Sequence, residues 1–346
     1  MTLIGIRVDG GHSIGLGHVY KTLWLARALR DAGCQPEFLA TEDAAVRDLI
    51  ERNNFPVHWF SSSQSEPEKI KLLNQWTQTH QPSAVVIDHW DWPEAYWNNF
   101  ETPKETISVA VDVPPEGFYR FHLAFQGIRN SLKNEEYEKD GCVVYEGPRY
   151  LMTPSHFSRL EEGWVPSGKL EEILMTFGGT DVVDFSLKML DQFKNFSGFY
   201  RLTLITGPGS SNYDRARQKA KSLHHDVEVL KEVLDLPERM CHSDLAITTA
   251  GLGTISELAL TGTPAIVIAA VEHQVENANK FGSVGGIINC ARKVGELDES
   301  FEGHFCTLAK NPERLGQMSR KWKGLVDSKG IERMSKILLE RIQSGG

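Results

Sequence analysis

No two cysteines in this chain have the spacing of a zinc ligand pair or a redox motif. Cys34, Cys142, Cys241, Cys290 and Cys306 are scattered and odd in number. They read as free thiols of a reducing compartment, not as a disulfide frame. There is no positive excess either. Thirty-seven lysines and arginines face 46 acids, for a net charge of −9 and an isoelectric point near 5.8. That argues against nucleic acid or an anionic membrane as a partner over the whole surface. No apolar run approaches the ~20 residues that span a bilayer, and no signal-peptide pattern opens the chain. The expected location is the cytoplasm. No segment reads G-x-x-x-x-G-K-[ST], so a P-loop ATPase is not expected. His224-His225 lacks partner ligands at metal spacing and reads as a surface pair. Neither a metal nor a cofactor is expected, and the oligomeric state is open. What is present is a 346-residue chain, 40% hydrophobic and 24% charged, long enough for two globular domains.

The chain is organised around its first loop. Leu3 to Val8 reads as a buried strand. Val19, Leu23, Ala26 and Leu29 recur at helical spacing, and Gly33 stands where a helix-ending glycine belongs. Gly15 and Gly17 lie in the glycine-rich loop between them, and His18 opens the helix. Free N–H groups and the helix dipole suit that place to an anion or a developing negative charge. The glycines alone equally fit a tight turn with a surface histidine.

Alternation of strands and helices continues. Strands are expected at 37–39, 57–60, 84–88 and 106–111, with helices over 43–53 and 70–80. The polar stretch 61–67 reads as a loop. Asp9, Asp88, His89 and Asp112 fall at carboxyl ends of strands, where ligands gather in open α/β sheets. Trp90, Trp92, Tyr96 and Trp97 fit either packing or stacking on a sugar. Residues 130–167 lack periodicity and read as a linker. Alternation then resumes, with strands at 173–176, 202–206, 227–230, 245–248 and 265–268. Helices are expected over 182–193, 211–223, 236–241, 254–260, 274–281 and most of 311–342. The expectation is an α/β chain of two doubly wound Rossmann-like domains facing a cleft, residues 1–165 and 166–346.

Three glycine-rich turns mark the second half: 176–181, 206–210 and 249–254. The first, with Gly178, Gly179 and Thr180, and the third, with Gly251, Gly253 and Thr254, suit a diphosphate. Glu257 lies one helical turn further on, where a carboxylate accepts hydrogen bonds from a ribose diol. The alternative is a capping box formed by Thr254 and Glu257.

Arg7-Val8-Asp9, Ile14 to His18, Leu25 to Leu29, Val86 to His89, Gly147-Pro148, Phe177 to Asp181 and Ile255 to Ala259 occur in that order. The set resembles the UDP-sugar hydrolase of pseudaminic acid biosynthesis and the spore-coat polysaccharide proteins. The stretch Gly262 to Ile266, with Glu272 and Gln274 to Ala278, is similar to the donor-site end of the lipid II glycosyltransferase. These families share the two-domain glycosyltransferase-B (GT-B) fold. The resemblance implies a UDP-linked amino or deoxy sugar as substrate, in polysaccharide or pseudaminic acid biosynthesis. It implies a first domain for sugar or acceptor and a second for UDP. Lys21 stands where an arginine is usual, Val113 where a second acid is usual, and Pro154 to His156 where an arginine is usual. These departures fall mainly on the sugar or acceptor side.

In that reading His18 is the general base, and Asp9 orients it or binds sugar hydroxyls. Arg7, Gly15, Gly17, Asp88, His89, His273 and Gln274 complete the substrate contacts. The glycine turns hold the charge developing on UDP. Water attack at the anomeric carbon is the expected reaction. Transfer of the same sugar to a sugar, lipid or protein acceptor is the alternative, and a catalytically silent sugar-nucleotide binder is a third reading.

Overall fold

The computed structural model describes residues 2–11, 15–89, 98–112, 120–128, 132–161, 163–233 and 235–344. The aromatic run Trp90 to Trp97 and Val113 lie outside them, as does the stretch 12–14 of the first loop. Contacts divide the chain into two units, 1–155 with 329–346, and 156–328.

The first unit runs β1 (Leu3–Val8), α1 (Gly17–Asp31), β2 (Gln35–Thr41), α2 (Ala44–Glu51), β3 (Val57–Phe60), α3 (Glu66–His80), β4 (Ala84–Asp88), β5 (Ile107–Val111), β6 (Leu123–Gln126), β7 (Glu135–Lys139) and β8 (Cys142–Glu146). Its sheet has the order β3-β2-β1-β4-β5-β6-β8-β7. Every described pairing is parallel except β7 with β8. β4 and β5 are buried at every position, as strands covered on both faces must be. Val19, Leu23, Ala26 and Leu29 form the buried face of α1, the register their spacing predicts.

Two expectations change here. The stretch 61–67 is not all loop, because Ser65 and Glu68 form a capping box that starts α3 at Glu66. Pro67 sits harmlessly in the first turn, where its missing N–H has no helical partner. The expected linker also contains the β7–β8 hairpin. β7 is a charged, exposed edge strand, a composition that discourages edge pairing and hides the strand from a periodicity reading. Its turn, Asp140-Gly141, has φ of +52° and +84°, and Asp-Gly is a strong hairpin signal.

The second unit runs β9 (Glu172–Thr176), α4 (Phe185–Phe193), β10 (Arg201–Thr206), α5 (Tyr213–Ala220), β11 (Asp226–Lys231), α6 (Leu236–His242), β12 (Leu245–Thr249), α7 (Leu252–Thr261), β13 (Ala265–Ala269), α8 (Glu272–Gly282), β14 (Ile287–Val294), α9 (Phe301–Lys310) and α10 (Glu313–Trp322). Its sheet is parallel, in the order β11-β10-β9-β12-β13-β14. α4 starts three residues later than expected because Asp181 and Asp184 adopt left-handed φ of +47° and +57°. β14 was not anticipated.

The last helix, α11 (Gly330–Gln343), leaves the second unit. Ile331, Met334 and Leu338 join the first unit's core beside Val19, Leu23 and Ala26. Its first residue must be glycine, since a Cβ there would lie 1.7 Å from the Leu151 carbonyl oxygen. The division is therefore not the expected 1–165 and 166–346, because 329–346 return to the first unit. No helix of the described residues is long and apolar enough to cross a membrane.

Candidate functional site

Among the parallel strands of each sheet the order reverses at one place, between β1 and β4 and between β9 and β12. Loops diverge at such a switch point and leave a crevice at the strands' carboxyl ends. The predicted residues fall at these two places, except His273 and Gln274, which lie on α8 after β13.

In the first unit, the loop after β1 is pinned by reciprocal hydrogen bonds, Gly11 N to Gly15 O at 3.1 Å and Gly15 N to Gly11 O at 2.7 Å. Gly11 and Gly15 have φ of +128° and +86°, conformations that favour glycine. Gly17 is exposed and opens α1. A Cβ at Gly17 would meet nothing within 4 Å, so packing does not require glycine there. α1 has no side-chain cap and no acid in its first turn. α2, by contrast, is capped by Asp43, which accepts from the N–H groups of Ala45 and Val46. The start of α1 thus keeps its positive dipole end uncompensated by its own side chains.

His18 Nδ1 lies 2.6 Å from Asp88 Oδ1. An ionised carboxylate only accepts, so Nδ1 carries the hydrogen, and in the neutral ring Nε2 then presents a lone pair. Asp88 is buried. Burial pushes its carboxyl up, but His18 and Lys21 override this and hold it below the ordinary carboxylate value. Lys21 Nζ is 3.9 Å from Asp88 Oδ2 and 3.2 Å from Asp112 Oδ2.

Asp9 does not orient His18. Arg7 grips both its oxygens at 2.5 Å, Thr41 N donates to it at 2.8 Å, and His89 Nε2 is 3.1 Å away. Burial opposes ionisation of Asp9, yet the Arg7 guanidinium and the His89 contact hold it well below the carboxylate range. Arg7 is fully buried, bonds the Val8 and Leu39 carbonyls, and lies over the Phe60 ring. Arg7 and His89 were expected to touch substrate; in the structure both are buried and pair with Asp9. The reason is register. Val8 pairs with Asp88 across β1 and β4, so Asp9 falls one residue beyond Asp88, level with His89, and the two acids take different partners.

Asp9, Glu66 and His89 bring ligand-type atoms within 4.8 Å of one another. Arg7 already covers Asp9, and Lys69 Nζ lies 2.6 Å from Glu66. The positive charge there is supplied by side chains, so the group does not fit a cation.

In the second unit, Gly178, Gly179 and Thr180 follow β9, and Gly251 to Thr254 follow β12. Gly178 is exposed with φ +81°. The turn 206–210 supports its neighbour. Gly209 N donates to Gly179 O at 2.9 Å, and a Cβ at Gly207 would come within 2.3 Å of the same oxygen. α7 starts after Gly251 with no side-chain cap and no acid in its first turn. This removes the capping-box alternative: Thr254 is the third residue inside the helix, so it cannot pair with Glu257 as an N-cap. Gly253 has ordinary φ, and a Cβ on it would meet nothing within 4 Å.

The Glu257 carboxyl takes no hydrogen bond from the described residues. Burial of the carboxyl, with the Glu238 charge, pushes it up to about 8. Gln274 Oε1 accepts from Ala270 N at 2.7 Å, while its Nε2 faces Gly251 at about the 4.0 Å limit of Cβ contact. Asn277, absent from the expected site, donates to Ala250 O at 3.1 Å. Its place one turn after Gln274 on α8 is the signal that finds it. His273 is exposed on α8.

Residues 173–334 match the glycosyltransferase family 28 C-terminal domain. The spore coat polysaccharide biosynthesis protein SpsG of Bacillus subtilis is 24% identical, over 97% of each chain. The UDP-N-acetylglucosamine–N-acetylmuramyl-(pentapeptide) pyrophosphoryl-undecaprenol N-acetylglucosamine transferase of Carboxydothermus hydrogenoformans is 32% identical, over 44% of this chain and 42% of its own. The structure of Acinetobacter baumannii MurG superposes with a TM-score of 0.71 at 16% identity, covering 98% of this chain and 100% of that one. The chain therefore has the GT-B fold of two Rossmann-like domains, and it carries a match to the family 28 glycosyltransferase C-terminal domain in its second half.

Proposed function

We propose that this chain is a glycosyltransferase that moves a sugar from a UDP-sugar donor to an acceptor hydroxyl. The observation that carries the reading is in the second unit. Two glycine turns flank the switch point, and the uncapped start of α7 stands beside them, with the half-buried Glu257, which takes no hydrogen bond from the described residues, further along. In this reading Gly178, Gly179, Thr180 and the Gly251 to Thr254 turn hold the diphosphate by backbone N–H groups. Glu257 receives the ribose hydroxyls, Asn277 fixes the loop that carries Gly251, and Gln274 holds Ala270 just after β13. The family 28 match and the UDP-sugar named in the Carboxydothermus relative support the donor.

His18 supplies the base. Its Nε2 takes the proton from the acceptor oxygen as that oxygen attacks the anomeric carbon, and Asp88 stabilises the imidazolium that forms. The bond to the UDP oxygen breaks, and backbone donors stabilise the charge arriving on UDP. A single displacement inverts the anomeric centre. Water as acceptor is the second reading. The ordered motifs shared with the UDP-sugar hydrolase, Arg7 to Asp9 and Ile14 to His18 above all, favour it, and the same base serves both.

The test is UDP release from a panel of UDP-sugars, in buffer and with soluble or lipid-linked saccharide acceptors. Transfer predicts release that starts on adding an acceptor. Turnover in buffer alone, with oxygen-18 from water entering the free sugar and not UDP, selects hydrolysis. Failure to bind UDP in calorimetry overturns both.

A further inference from the structure

The N-terminal part of α1 carries a cation, largely shielded from solvent, that the proposed chemistry has not used. Lys21 lies one helical turn beyond His18, its ammonium between two carboxylates, Asp88 on β4 and Asp112 after β5. Asp112 is fixed in turn. It has a left-handed φ of +50°, and its Oδ1 accepts from Gly127 N at 3.1 Å. Asp88 Oδ2 is buried and takes no hydrogen bond within the described residues, so the ammonium 3.9 Å away is the cation that faces it directly. His89, the neighbour on β4, is turned to Asp9, and Asp9 is neutralised by Arg7. His18, Asp88, Lys21 and Asp112 thus form one partly buried electrostatic group at the switch point.

We infer that Lys21 is a positioning residue that offsets the charge of the Asp88 and Asp112 pair beside His18, the proposed base. The inference rests on the reading of His18 as the base. Its logic is charge counting. With neutral His18 the group carries two negative charges and one positive. Without Lys21, both carboxylates pull a proton onto the imidazole, and imidazolium cannot accept another. Without the Asp112 charge, Lys21 faces Asp88 alone, and the pull weakens. The two changes must move His18 in opposite directions, which a merely structural role does not do.

The experiment follows the His18 ring by NMR titration in the full chain, with His18→Ala to assign the signal, and records pH–rate profiles beside it. Lys21→Met is expected to raise the midpoint by about one pH unit, the effect of removing one nearby charge. Turnover falls at pH 7 and recovers at higher pH. Asp112→Asn is expected to lower the midpoint, and Lys21→Arg to restore wild-type behaviour. If Lys21→Met does not fold, the Asp112→Asn shift carries the test alone. An unmoved midpoint, or one that moves the same way in Lys21→Met and Asp112→Asn, overturns the inference. Retained turnover in His18→Ala overturns the base reading instead, so the two failures are distinct.

Discussion

Glu257 shows how one side chain joins stability to binding. Its carboxyl is pushed up to about 8 by burial and by Glu238, whereas a carboxyl in an unfolded chain titrates near 4.3. Between those values the folded protein holds a proton that the unfolded chain has released. Stability must therefore fall as pH rises from about 5 to 8. Glu257→Gln cannot ionise, so thermal melts should show the variant gaining on wild type across that window. A ribose diol donates to the ionised form, so UDP binding at pH 7 should release a proton. Calorimetry in buffers of different ionisation enthalpy should find that release, and find it lost in Glu257→Gln. Affinity should fall by about 1–3 kcal/mol, the scale of charge-assisted hydrogen bonds. Unchanged affinity and no proton release would remove Glu257 from the ribose role. The sequence marked this glutamate but left a capping box open. Which residue is the N-cap depends on where the helix starts, and Gly251 decides that. Likewise Asp9 and Asp88 are both acids at strand ends. Only the pairing of β1 with β4, and the buried Arg7 beside Asp9, make Asp88 the partner of His18.

At the scale of elements, the strands buried on both faces were legible because an unbroken apolar run has few other homes. β4, β12 and β13 fall where the pattern puts them. The β7–β8 hairpin escaped because its outer strand is charged, so cross-strand pairing, not side-chain alternation, defines it. Glycines separate by the same physics. Gly207 is demanded by packing, since a side chain would strike Gly179. Gly253 is demanded by neither packing nor φ, so its smallness has a use only if something approaches the backbone there. Gly253→Ala should accordingly melt at or slightly above the wild-type temperature, because alanine is the better helix former by up to ~1 kcal/mol. It should bind UDP at least several-fold more weakly, measured by calorimetry. A variant that binds UDP as well as wild type would show that no ligand phosphate approaches the start of α7.

For the molecule as a whole, the return of α11 to the first unit makes a prediction that the linear order of the chain does not. A chain whose second domain ran from 166 to its end would feel damage to α11 in the strands of that domain. Ile331, Met334 and Leu338 are instead buried with Val19, Leu23 and Ala26 of α1, and α11 packs directly on α1, the helix that begins with Gly17-His18. Leu338→Ala removes a buried side chain that is 2% exposed. Such truncations cost ~2–5 kcal/mol where the site does not collapse. The loss should appear as faster amide exchange in β1, α1 and β4, with β9, β10 and β12 protected as before. Under the proposed division of labour it should lower turnover by loosening the support of His18, while calorimetry finds UDP affinity unchanged, because the glycine turns and Glu257 belong to the other unit. Faster exchange confined to β9, β10 and β12, or a loss of UDP affinity without a loss of turnover, would return α11 to the second unit and undo the assignment of base and nucleotide to separate units.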